Sequence, residues 1–226
     1  MTAAASGSAL SRAARLVALA LAALLSAAFS GALVGAGLQR VAGDRMAPWI
    51  LGRAAGVCAY LLLVALVLLG LLLSHPWRSR VRWPSTATRI RTHIALAVFT
   101  LAFTALHVVV LATDRYAGVG WWGALVPMRA AYRPVATTLG LIGLWSAVLA
   151  GLSAALAGRL PRRLWWPLHK VAAVSLVLIW VHGVLGGGDT PALLALYIAT
   201  ATVVVAVALT RYLARTHGDL VRELQP

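Results

Sequence analysis

Residues 91–111, RTHIALAVFTLAFTALHVVVL, decide the fold class. Arg91 and Thr92 are followed by His93, and the next charge-capable side chain is His107, fourteen residues on. Everything between them is apolar or Ala/Thr. At 1.5 Å per residue, a helix through this stretch sets the two imidazoles about 21 Å apart, two-thirds of a hydrocarbon core about 30 Å thick. That separation falls only about 40° short of four full turns, so both rings fall on one helix face. An ionisable side chain inside a bilayer is costly and needs a partner. The stretch therefore reads as a membrane span that presents two imidazoles to something on one side.

The rest of the 226-residue chain repeats the apolar pattern. Spans are expected at 16–38, 52–73, 92–112, 135–157, 166–185 and 192–211. The composition agrees, with 62% hydrophobic residues and only 11% charged. The expected fold is all-α, an integral membrane six-helix bundle forming one domain, with no room for a soluble catalytic domain. A net charge of +15 invites a nucleic-acid reading. The charge lies in the loops between spans, however, where it acts as an orientation signal and meets lipid headgroups. The single cysteine, Cys58, excludes an intrachain disulfide, a cysteine-held iron–sulfur cluster and a CxxCH haem attachment; it reads as a small packing residue.

With the amino terminus in the cytoplasm, fourteen of the twenty basic residues fall on that side. Arg40, Arg45, Arg53, Arg115, Arg129 and Arg133 fall on the other. The positive-inside rule thus places both termini in the cytoplasm. Arg12 and Arg15 before an apolar run and Ser26-Ala27-Ala28 resemble a signal peptide, but the run continues to Leu38, long enough for a retained helix. Short loops favour antiparallel neighbours. The longer loop 113–134 carries Tyr116, Trp121, Trp122 and Tyr132, which reads first as an interfacial anchor and second as a cap over an outer site.

A second pair of histidines, His169 and His182, lies in the stretch PLHKVAAVSLVLIWVHG, residues 167–183. The third and fifth spans run in the same direction. His93 and His169 each follow a basic cytoplasmic loop, and His107 and His182 lie toward the outside. Four imidazoles thus form two layers about 20 Å apart. A bis-histidine haem needs one ligand on each side of its plane, so two parallel helices can hold two haems. One detail resists: thirteen residues leave His169 and His182 about 140° apart on an ideal helix. A tightened turn, or distortion after Pro167, is needed to correct this. Zinc or copper sites want ligands closer in sequence. His75 and His217 read as helix-end residues.

Arg91-Thr92-His93 through His107, and Trp166-Pro167-Leu168-His169-Lys170 through His182, resemble the ferric-reductase-like transmembrane domain family. That family includes NADPH oxidases, ferric reductases and the bacterial haem-binding subunit of the methionine sulfoxide reductase system, the closest in type. The resemblance covers about residues 50–210. It implies His93 with His169 on an inner haem b, and His107 with His182 on an outer one. The oxidase and ferric reductase branches continue into a flavin and nicotinamide domain, whereas this sequence carries no Gly-rich dinucleotide fingerprint.

The expected function is transmembrane electron transfer, as the haem b component of an oxidoreductase. The donor is a separate flavoprotein (FMN or FAD) or quinol. The acceptor lies outside the membrane and is a ferric chelate, a partner reductase or oxygen. The expected location is a bacterial plasma membrane. Arg91, Arg163 and Lys170 are inner candidates for haem propionates; Arg115, Arg129 and Arg133 are outer ones. Phe99, Phe103, Trp145 and Trp180 are candidates for the space between haems, or else pack the core. Two other readings stay open: a quinol-linked b561-like cytochrome, and a non-redox membrane protein with structural histidines.

Overall fold

The computed structural model describes residues 46–78 and 83–214. The expected span 16–38 and His217 lie outside the described residues. Those described are helical wherever they are regular, and five helices are long and apolar enough to cross a membrane. They are α1 (Ala47–Leu73), α2 (Thr86–Thr113), α4 (Pro134–Ala155), α5 (Arg162–Gly186) and α6 (Thr190–Leu213). A sixth, short helix, α3 (Gly120–Leu125), lies in the loop between α2 and α4. The expected spans after the first each lie within one long helix, apart from a two-residue overrun of α4.

Polar and cyclic residues set the helix starts. Ser85 accepts a hydrogen bond from the Thr88 amide at 3.2 Å, satisfying an orphan donor at the start of α2. Pro134 and Pro191 sit in the first turns of α4 and α6, where a missing N–H costs nothing. Between 6% and 22% of each span's apolar window is buried within protein. The remaining apolar surface suits lipid, which takes the role water-excluding neighbours play in a soluble core. The chain is accordingly a multi-pass helical membrane protein. Cys58 lies on an exposed face of α1 rather than in the packing, correcting its expected role.

Cross-helix contacts fix directions. Gly52 meets Leu111 and Gly56 meets His107, while Gly70 meets His93, so α1 and α2 are antiparallel. Ser175 donates to the Gly143 carbonyl at 2.8 Å, Gly140 meets His182, and His169 approaches Ala150; α4 and α5 are likewise antiparallel. Tyr60 hydrogen-bonds Thr200, and Arg211 Nε donates to Ser74 Oγ at 3.2 Å, which sets α1 and α6 parallel. Tyr60, Leu63, Val64, Leu176 and Tyr197 form the buried cluster where α1, α5 and α6 meet.

Candidate haem-binding site

The four span histidines come together in two pairs. The ring centroids of His93 and His169 are 6.2 Å apart, and so are those of His107 and His182. One pair therefore joins the early turns of α2 and α5, and the other joins their later turns. The parallel course of these two helices, expected from the span count, matches the imidazoles in depth.

The angular difficulty resolves without a change of helix type. No 3₁₀ turn interrupts α5, and Pro167 is accommodated inside it. The expected tightened turn is absent.

Backbone carbonyls orient the imidazoles. His107 Nδ1 lies 2.7 Å from the Gly52 carbonyl oxygen, and His182 Nδ1 lies 2.7 Å from that of Ala136. His169 Nδ1 is 3.4 Å from the Ala150 oxygen. His93 Nδ1 is buried without a hydrogen-bond partner. A carbonyl only accepts, so the outer Nδ1 atoms must both carry protons. In the neutral imidazoles of His107 and His182, each Nε2 is then a bare lone pair. Two such acceptors cannot hydrogen-bond to each other, and each is left open to a donor or a metal.

The pair spacing fits a metal. Metal–imidazole bonds are about 2.0–2.1 Å, and a ring centroid lies roughly 1.1 Å behind its nitrogen, giving trans imidazole centroids about 6.3 Å apart. Among the described residues, no group of three or more His, Cys, Asp or Glu side chains is placed to hold a metal ion. A metal held by two imidazoles alone would need its other ligands from a further group, as a porphyrin supplies them. An apolar cavity surrounds the outer pair: His107, His182, Leu111, Leu141, Ile179 and Tyr197 are among its walls. It extends toward the middle of the bundle at Thr100 and Ser175.

Glycines make room for the rings. A Cβ on Gly56 would stand 2.7 Å from His107 Nδ1, and one on Gly140 would stand 2.7 Å from His182 Nδ1. At Gly70 the corresponding approach is 3.2 Å, to His93 Cε1. A helical side chain covers the turn before its own Cα. Glycine four residues after an acceptor carbonyl thus bares that carbonyl, as Gly56 does for Gly52 and Gly140 for Ala136. Sequence reasoning missed this cradle. Its signal was present: Gly56 and Gly70 are spaced by fourteen residues, like His93 and His107.

The loop 114–133 covers the cavity at the His107–His182 pair. Val119, Ala124 and Tyr132 line it, and Trp49 stands edge-on to both Tyr116 and Tyr132, with centroids 5.8 and 5.4 Å away. Tyr132 also donates to the Gly186 carbonyl at 2.9 Å. Trp121 and Trp122 remain exposed, as headgroup anchors would be. The loop is thus cap and anchor together, whereas the anchor reading alone was the first expectation.

The basic candidates divide. Arg91 and Arg163 are exposed near the starts of α2 and α5, and Lys170 is drawn to the Trp166 ring at 5.2 Å. Arg115 and Arg129 are exposed, while Arg133 donates to the Leu185 carbonyl at 2.5 Å. Arg53 lies inside α1, lines the cavity at His107 and His182, and pairs with Asp189. Phe99 and Trp145 are more than half exposed, so they do not fill the interior between the tiers. Trp180 donates to the Tyr197 carbonyl at 3.1 Å and packs on the buried cluster. His75 lies just past the end of α1, its Nδ1 accepting from the Trp77 amide at 3.1 Å.

Comparison with protein-family models, with curated proteins and with solved structures finds no match to this chain.

Proposed function

We propose that the chain carries electrons across a membrane through two b haems. His93 with His169 would hold the inner haem, and His107 with His182 the outer one. The observation that carries this reading is the pair of facing imidazoles at 6.2 Å, repeated at two depths. Bound there, haem b supplies one-electron iron redox chemistry at each tier.

The chain's own residues do the rest. The Gly52 and Ala136 carbonyls hold the outer imidazoles in the tautomer whose Nε2 is free to ligate. Ligation by two histidines would leave no open iron position, which favours electron transfer over oxygen binding. Apolar walls such as Leu111, Leu141 and Ile179 keep water from the outer site. The 114–133 loop separates that site from the outer aqueous phase. Arg91, Arg163 and Lys170 stand where anionic propionates of an inner haem would meet the cytoplasmic interface. The proposed chain has six spans, both termini in the cytoplasm and a bacterial plasma membrane as its location. A separate flavoprotein or quinol is the donor, and a ferric chelate or partner reductase is the acceptor.

The test is the absorption spectrum of the purified chain with its haem stoichiometry. The expected result is low-spin b-type bands and two haems per chain. His107→Ala or His182→Ala removes one haem, and His93→Ala or His169→Ala removes the other. A folded, colourless protein that takes up no added haem overturns the proposal in favour of structural histidines.

A further inference from the structure

The two tiers differ in what their imidazoles lean on. In the outer pair both Nδ1 atoms meet carbonyls at 2.7 Å, and no described side chain other than the histidine donates to either carbonyl. In the inner pair His169 stands back at 3.4 Å and His93 has no hydrogen-bond partner at Nδ1. The acceptor of His169 is unlike the other two in one respect. The Ser153 hydroxyl donates to the Ala150 carbonyl at 2.7 Å, and Ser153 is only 3% exposed.

A carbonyl oxygen has two lone pairs. Inside α4 the Ala150 oxygen serves the helix ladder with one of them. The Ser153 hydroxyl, three residues on, takes the other at short range. His169 is the third claimant and is held at a distance where a hydrogen bond is weak. Residue 154 adds to this: it is alanine where the outer cradles have glycine, so the Ala150 carbonyl is less bare.

A hydrogen bond from Nδ1–H to an acceptor raises the basicity of the ligating nitrogen. A more basic axial ligand favours ferric over ferrous iron and lowers the potential. A weakened bond at His169 has the opposite sign and raises it. We propose that Ser153 is a positioning residue that withholds the Ala150 carbonyl from His169 and so raises the potential of the inner haem. This rests on the function proposed above and deepens it. A raised inner potential favours entry of the electron from a cytoplasmic donor. The effect is local, since Ser153 touches neither outer carbonyl.

Potentiometry of the full-length, haem-replete protein, read from the b-type absorption bands, tests it. The inner component is assigned in a His182→Ala background, which retains the inner haem alone. Ser153→Ala should let His169 close on the carbonyl and move the inner midpoint negative. The reduced-to-oxidised ratio at fixed ambient potential should fall roughly tenfold, about 59 mV for one electron. The outer midpoint should stay in place. Ser153→Thr, which keeps the hydroxyl, should leave both unmoved, and Ser153→Cys, with a weaker donor, should give a smaller negative shift. An inner midpoint that is unmoved or more positive in Ser153→Ala overturns the inference, as does a Thr variant that shifts like Ala. Unaltered protein without haem overturns the parent reading instead.

Discussion

Gly140 and Gly186 show how finely the outer tier is built, because both lie beside the His182 ring. A Cβ at Gly140 would approach Nδ1 to 2.7 Å, whereas one at Gly186 would rest at 3.6 Å from the ring, in ordinary contact. Overfilling a packed site costs about 1–3 kcal/mol, and here the imidazole is what must move. Gly140→Ala is expected to halve haem content by emptying the outer tier, while Gly186→Ala retains both haems; haem-to-protein ratios measure this directly. Tyr60 gives a test independent of any cofactor. Its hydroxyl bonds Thr200, which also donates to the Leu196 carbonyl. Tyr60→Phe therefore removes one interhelical bond while Thr200 keeps its intrahelical one. The expected loss is about 1 kcal/mol, read as a lower thermal unfolding midpoint in detergent.

At the scale of elements, the cap and the first turns of α1 act as a unit. Trp49 wedges between Tyr116 and Tyr132, and Arg53 stacks on Trp49 at 5.2 Å. Positive φ at Gly118 and Gly120 turns the chain into α3 where a side chain would be strained. Trp49→Ala should release the loop while leaving the spans in place. Amide hydrogen exchange across residues 114–133 is expected to accelerate, with exchange in the middle of α2 and α5 unchanged. Equal acceleration throughout would mean that Trp49 supports the whole bundle. The span-forming elements after residue 46 were legible because a run of twenty apolar residues has few other stable fates. The cap was legible only as the second reading of an aromatic loop, since covering a cavity depends on where Val119 and Ala124 land, and neither residue type signals it.

For the whole molecule, orientation is the property most open to a direct check. Cys58 is the only cysteine, so a Cys58→Ser background permits single-cysteine mapping. A cysteine replacing Tyr116 should react with a membrane-impermeant maleimide added outside intact cells. One replacing Arg159 should react only after permeabilisation. The reverse pattern would invert the assignment of inner and outer tiers.

The amino-acid sequence alone determined that the chain crosses a membrane repeatedly, because backbone polar groups in lipid leave an apolar helix as the available form. It also determined which four imidazoles share two depths, because helical rise converts residue number into height. Only the tertiary structure decided that the rings meet, at what spacing, and which carbonyls hold them. Those facts depend on neighbours brought together by packing: Gly56 beside His107, Gly140 beside His182, and Ser153 competing for the Ala150 oxygen. Height along a helix is local, but which helix stands opposite, and how closely, is a property of the bundle.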